Sequence, residues 1–267
     1  MRDDGKRNVA GVLVDVVDPA GAVARIVEAA ERRVPCAVSA LAAHGVVEGA
    51  LDPELRYRLN RLDLVCPDGQ PVRWAQNLLH GVDLRERVYG PGLMLRLLEV
   101  AQERRLGVYF YGSTEDVLVA LQERMRARFE GLRIAGATPS RFRPLSDAET
   151  RSMRAAVRDS DAAMVFVGLG CPRQEVFAYE HRDALGVPII AVGAAFDFHA
   201  GTLLQAPAWM GDRGLEWLFR WAQEPRRLFD RYTRVNAHYA GRVCLQSLGL
   251  RTYDPLGRFP RAPKRYG

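Results

Sequence analysis

The stretch MVFVGLGCPRQE, residues 164–175, decides the reading of this chain. It opens as an unbroken apolar run, reaches glycines at 168 and 170 and a proline at 172, and then turns polar. A short apolar run bounded by glycine suits a strand buried on both faces of a parallel sheet. The glycines let the backbone bend tightly, and Pro172 suits the first turn of a helix. Gln174 and Glu175 then fall where strand gives way to helix. In an open α/β sheet that edge binds ligands, and its free backbone N–H groups attract phosphate. Gly170, Pro172 and Glu175 are therefore candidate substrate-binding residues. An ordinary strand–helix loop has the same spacing, so the argument turns on whether other strands end alike.

They do. Residues 11–17 (GVLVDVV) predict an opening strand, and 19–32 a helix with Val23, Ile26, Val27 and Ala30 on one face. CAVSA (36–40) predicts a strand closing near Ser39, with a loop or helix start around His44 and Gly45. Asp52 caps a helix to residue 60. LDLVC (62–66) is a strand stopped by Pro67-Asp68-Gly69, followed by a helix through Trp74 and Leu79 and a polar turn at 83–87. A helix at 91–105 leads to the strand GVYFY (107–111), which ends in Gly112-Ser113-Thr114, with Ser113 and Asp116 expected to cap the next helix. A strand at 132–136, a helix at 146–158, the central strand with its helix to 185, and PIIAV (188–192) running to Asp197 complete the series. This alternation predicts an α/β fold: a Rossmann-like, doubly wound, mostly parallel sheet.

The chain has 267 residues, long for one α/β domain and short for two, so one core with an appendage is expected. Past residue 201 the texture changes. Trp209, Trp217, Phe219, Trp221, Phe229, Tyr232 and Tyr239 interleave with Arg213, Arg220, Arg226, Arg227, Arg231 and Arg234. The predicted division is an α/β core at 1–206, a helical appendage at 207–250 with two helices broken at Pro225, and a loose tail at 251–267. Residues 213–267 hold twelve Lys and Arg against four acids, a net +8, which leaves −2 for the preceding residues out of the chain's +6. That asymmetry points to an acidic partner such as a lipid surface, phosphates or nucleic acid. Four scattered cysteines with no CxxC pair argue against a zinc or disulfide framework and fit a reducing compartment. The N-terminus does not resemble a signal peptide, and no run of 18 apolar residues exists.

Ser39, Asp68, Gly112, Ser113, Gln174 and Asp197 are all expected at one sheet edge, lining a cleft with two carboxylates. Asp68 is the leading candidate for a general base, although an aspartate before glycine is also an ordinary turn residue. Asp197 suits ribose hydroxyls or a base, or a structural role. Asp159-Ser160-Asp161 matches a metal-binding Asp-x-Asp but precedes a strand, so it reads as a helix-ending turn away from the cleft. Gly168-x-Gly170 lacks the third glycine of a dinucleotide fingerprint, which disfavours a nicotinamide enzyme. His44 and Cys171 read as capping and packing residues.

Several motifs in order resemble the WecG/TagA/CpsF bacterial glycosyltransferases: Pro67-Asp68-Gly69, Arg87 with Gly90, VGLGCPRQE (167–175), VGAAFDFHAG (192–201) and GLEWLFRWAQEPRRLFDRY (214–232). The resemblance implies a metal-independent, inverting transfer from a UDP-sugar to a polyprenyl-diphosphate-linked saccharide in cell-surface polysaccharide or teichoic acid-type synthesis. It also implies no cofactor, no nucleic acid, and a place on the cytoplasmic face of the membrane, held there by the appendage. By the same resemblance Asp68 deprotonates the acceptor hydroxyl, Arg87 and Gln174 line the active site, and Asp197 lies on the nucleoside side. Arg220, Arg227 and Arg231 would close over the diphosphate. Permanently charged, bidentate guanidinium groups suit a departing diphosphate where no metal neutralises it. The chain departs from the family pattern at Ser39-Ala40-Leu41, at Gly92, at Gln205-Ala206-Pro207 and at 138–142, which leaves the donor sugar and acceptor open. Two competing readings remain: a nucleotide-sugar epimerase or other modifying enzyme, and a non-catalytic basic peripheral membrane or nucleic-acid-binding protein. Against nucleic acid, the basic segment carries no recognised binding motif.

Overall fold

The computed structural model describes the backbone of Met1 and of residues 3–223 and 225–267; the side chains of Ala208, Asp212, Arg220 and residues 225–233 lie outside the described set. Among the described residues, six strands form one parallel sheet: β3 (Cys36–Leu41), β4 (Leu64–Pro67), β5 (Val108–Gly112), β6 (Ile134–Thr138), β7 (Met164–Gly168) and β8 (Pro188–Ala191), in the order β4-β3-β8-β7-β5-β6. The expected Rossmann-like α/β architecture is therefore present. Residues 164–168 form the inner strand their apolar run required, fully enclosed between β8 and β5. Side chains alternate across it: Val165 and Val167 face one core, Met164 and Phe166 the other.

One face of the sheet is covered by α1 (Pro19–Glu31), α5 (Gly90–Glu103), α6 (Glu115–Arg128) and α9 (Ala195–Ala200). The other carries α2 (Ala43–Leu51), α3 (Pro53–Leu59), α4 (Gln70–His80), α7 (Asp147–Asp159) and α8 (Arg173–Leu185). The C-terminal helices are α10 (Ala208–Asp212), α11 (Glu216–Gln223) and α12 (Pro225–Ser247), the last packed on α2 and α4. Asp52 caps α3 as expected, accepting the N–H groups of Glu54 and Leu55. The cap of α6 differs from expectation. Thr114 accepts the Val117 N–H, while Ser113 takes a left-handed conformation (φ 54°) in the preceding turn.

Three further elements depart from the sequence reading. The opening strand is the second arm of an antiparallel hairpin, β1 (Asp3–Val9) and β2 (Val12–Val17), turning at Ala10-Gly11. The hairpin shields the edge strand β4: buried Asp15 accepts the Val65 N–H at 2.6 Å, so that edge donor does not await a strand. Secondly, α2 is a full helix where only a loop or helix start was expected. Its Gly45 and Gly49 lower helix propensity, but a Cβ on them would stand 2.3 Å from Leu41 and 2.7 Å from Leu59. Close packing fixes this helix.

The tail is the third correction. Residues 251–267 carry little regular structure, yet they are strapped across the core. Asn60 donates to the Pro255 carbonyl, fully buried Arg58 donates to that of Ala262, and the Glu180 carboxylate accepts the N–H groups of Lys264 and Arg265. Ser140 then holds the Gly267 carbonyl at 2.7 Å, just past the end of β6. A loose tail was expected because nothing periodic marks it; it is anchored through backbone groups and a few side chains, among them Arg265 paired with Asp147 and the Phe259 ring against Tyr57.

Candidate active site

The C-terminal ends of the six strands form one edge, and the chain reverses direction there. From β5 it proceeds outward to β6, whereas from β7 it returns inward to β8. Ligands bind at such switch points. Gly112 and Gly168 pair in register at this one, and a Cβ on Gly112 would stand 2.6 Å from the Gly168 carbonyl oxygen. At φ +115° Gly112 also requires a conformation that side chains disfavour. Ser113 donates its N–H to the same carbonyl at 2.9 Å. Beyond it, Gly170 (φ +76°) borders open space.

Asp68 directly follows β4, its backbone N–H bonded to the carbonyls of Leu41 and Cys66. Its carboxyl accepts the N–H groups of Gly69 and Gly90, and the residue as a whole is half-buried. Burial pushes its pKa up to about 7; the Arg87 guanidinium opposes that rise and Glu216 reinforces it. A carboxyl so placed exchanges protons near neutral pH, which suits a general base. Arg87 is held in a bidentate pair with Glu216 of α11, at 2.6 and 2.7 Å, and lies over the Tyr89 ring. The Tyr89 hydroxyl accepts from Gln205 at 2.9 Å, so the glutamine of the departing Gln-Ala-Pro motif also reaches this cluster. Sequence reasoning missed Glu216, Tyr89 and Gln205. Glu216 lies inside the quoted GLEW segment, but its partner is 129 positions away.

Of the other expected site residues, Ser39, Gln174 and Glu175 are buried beneath the strand-end edge. Gln174, 2% exposed, accepts the Gly193 N–H at 3.1 Å and donates to Glu175 at 2.9 Å. Glu175 is 1% exposed and accepts from the Ser39 hydroxyl at 3.0 Å. Ser39 was expected at a strand end. It lies inside β3 and is fully buried, which corrects its place on the cleft edge: the strand runs on to Leu41. Glu175 likewise faces inward, its pKa raised by burial, and it accepts its own backbone N–H at the start of α8. Its carboxyl thus already answers the positive end of that helix. Pro172 sits at the N-cap, one residue before the helical turn where it was expected.

Asp197 is half-buried in the first turn of α9, after β8. Asp68 and Gln174 share one edge: Gly90, which donates to Asp68, packs against the Val192 carbonyl, and the next residue, Gly193, binds Gln174. Arg220, Arg227 and Arg231 lie in α11 and α12, but their side chains are outside the described residues. The Asp-x-Asp at 159–161 ends α7 at the opposite edge, with Asp161 paired to Arg33 and Arg133. His44 pairs with Glu48 within α2. Among the described residues, no group of three or more His, Cys, Asp and Glu side chains is arranged to hold a metal. Among them too, no helix is long and apolar enough to cross a membrane.

A parallel sheet whose strand-end edge carries Asp68 and the clamped Arg87 after its outer strand β4, with β3 and β8 between them and the paired glycines of β5 and β7, is a Rossmann-like α/β arrangement. The chain belongs to the glycosyl transferase WecG/TagA/CpsF family, whose model matches residues 7–253. It is 29% identical over 218 residues to the N-acetylglucosaminyldiphosphoundecaprenol N-acetyl-beta-D-mannosaminyltransferase of Bacillus spizizenii, covering 76% of this chain and 82% of that protein. A protein of the same name from Bacillus subtilis is 27% identical over 194 residues, covering 68% and 73%.

Proposed function

We propose that this glycosyltransferase moves an N-acetylhexosamine or hexose from a UDP-sugar onto a polyprenyl-diphosphate-linked saccharide, with inversion and without a metal. N-acetylmannosamine onto N-acetylglucosaminyl-diphosphoundecaprenol is the first pair to try, from the names of its relatives. The observation that carries the reading is the Asp68 carboxyl, set at the strand-end edge near Arg87 with its pKa about 7. Asp68 accepts the proton of the acceptor hydroxyl as that oxygen bonds to the anomeric carbon. The bond from that carbon to the UDP oxygen breaks on the opposite face, so configuration inverts. The nucleotide leaves carrying negative charge, which guanidinium groups neutralise. Arg87 is the described candidate for that role, with Arg220, Arg227 and Arg231 contributed by the appendage.

The acceptor's lipid places the reaction at a membrane surface. Trp209, Trp217 and Leu218 of the appendage are exposed, as are Trp74 and Leu78 of α4. A Cβ on Gly214 would stand 2.8 Å from the Trp74 ring, so the two groups are neighbours. Exposed tryptophan beside arginine suits the membrane interface. The test is a screen of UDP-sugars against a short-chain polyprenyl-diphosphate N-acetylglucosamine, following UDP release with chelator present. Release that requires the acceptor and survives chelation is expected. Release or epimerisation without acceptor would overturn the reading in favour of a nucleotide-sugar modifying enzyme.

A further inference from the structure

Glu216 has no part in the chemistry just described, yet among the described residues it makes the shortest side-chain contact between the appendage and the core. Both its carboxylate oxygens bind Arg87, at 2.6 and 2.7 Å, in the fork geometry that fixes a guanidinium in orientation as well as position. The surroundings are built around this pair. A Cβ on Gly211, in α10, would stand 3.1 Å from an Arg87 nitrogen and 3.3 Å from a Glu216 oxygen. Tyr89 lies under the guanidinium and is itself tied to Gln205 on the approach to the appendage. Arg87 is anchored on the core side, since neighbouring Val88 donates to the Pro67 carbonyl, one residue before Asp68.

We propose that Glu216 is a positioning residue for the transfer step: by clamping Arg87 it sets the guanidinium near Asp68 and seats the appendage on the core at the catalytic carboxylate. Two guanidinium N–H groups are engaged by Glu216; among the described residues Arg87 donates no other hydrogen bond, which leaves its remaining N–H groups for an anionic substrate group. The inference rests on the proposed role of Asp68 as base. Among the described residues the ionisable groups that act most strongly on Asp68 are Arg87 and Glu216, and Asp68 acts in turn on Arg87, Tyr89 and Cys66. Removing the Glu216 charge withdraws a group that raises the Asp68 pKa and frees one that lowers it. Both changes have the same sign.

The experiment compares wild type, Glu216→Gln, Glu216→Asp and Asp68→Asn by acceptor-dependent UDP release from a UDP-N-acetylhexosamine across neutral pH. Glu216→Gln is expected to lower kcat by up to about a hundredfold, the scale of a misplaced catalytic group. It should also move the acid limb of kcat/KM down by about half to one pH unit. Glu216→Asp, which keeps the charge, should leave that limb in place. Should Glu216→Gln fail to fold, Arg87→Gln breaks the same contact from the other side and should expose the appendage to protease while the core stays intact. A Glu216→Gln enzyme with wild-type kcat and an unmoved limb, beside an inactive Asp68→Asn, overturns the inference alone. So does an appendage that stays protected in Arg87→Gln. An active Asp68→Asn overturns the base assignment, and the inference with it.

Discussion

Gln174 accepts the backbone N–H of Gly193 at 3.1 Å and so ties the turn after β7 to the turn after β8. The side chain is 2% exposed, so the contact is sealed from solvent. Gln174→Ala leaves that N–H and the Glu175 carboxylate short of a partner. Loss of about 1–3 kcal/mol is expected, the cost of unsatisfied buried polar groups. Urea unfolding checks this; an unchanged midpoint would mean the contact is not made in solution.

Asp68 carries opposing demands on stability and function. Its folded-state pKa of about 7 lies above the ordinary 3.8. The folded protein therefore binds the extra proton, and this group's contribution to stability falls as pH rises from near 4 through about 7. Activity runs the other way, because the base must be deprotonated: kcat/KM should rise through about pH 7. Asp68→Asn should be inactive yet more stable than wild type above neutral pH, by on the order of 2 kcal/mol. Melting temperatures measured either side of neutrality read the sign directly.

The glycines of the switch point separate by geometry. Gly112→Ala places a methyl against the Gly168 carbonyl, at 2.6 Å, in a conformation side chains avoid. Destabilisation of about 2–4 kcal/mol is expected from that overlap and strain. Gly170→Ala meets open space and bears only the strain of its positive φ, about 1–2 kcal/mol. Equal losses in the two variants, measured by chemical denaturation, would contradict the close approach of β5 and β7.

Removing residues 251–267 should destabilise the whole core. Arg58, fully buried, would lose the Ala262 carbonyl, and Glu180 would lose two backbone donors. Stripping partners from buried charges costs about 3 kcal/mol or more. A truncated chain melting at the wild-type temperature would return the tail to the loose segment its composition suggested.

What could be read from the residues alone was whatever local pattern determines. The apolar run at 164–168 suited a strand buried on both faces, and Asp52 before Pro53 marked a helix start. Asp68 was legible because a proline and a glycine set it just past a strand. The residues misread are those fixed by distant partners. The segment DDGKRNV is polar and becomes a strand by pairing with β2. Gly45 and Gly49 weaken a helix locally and are required by the side chains beneath. Ser39 looked like a strand-end residue because the next helix was not legible. Glu216, an acid in an arginine-rich segment, gave no hint that it holds Arg87 across the fold.

The most direct measurement is the transfer rate of wild type and Asp68→Asn under saturating donor and acceptor, with donor binding followed in parallel by calorimetry. A fall of at least about a hundredfold in turnover, the usual scale for a general base, with donor affinity retained, is the expected result. Turnover by Asp68→Asn within a few-fold of wild type would contradict the account and place the base elsewhere on the edge.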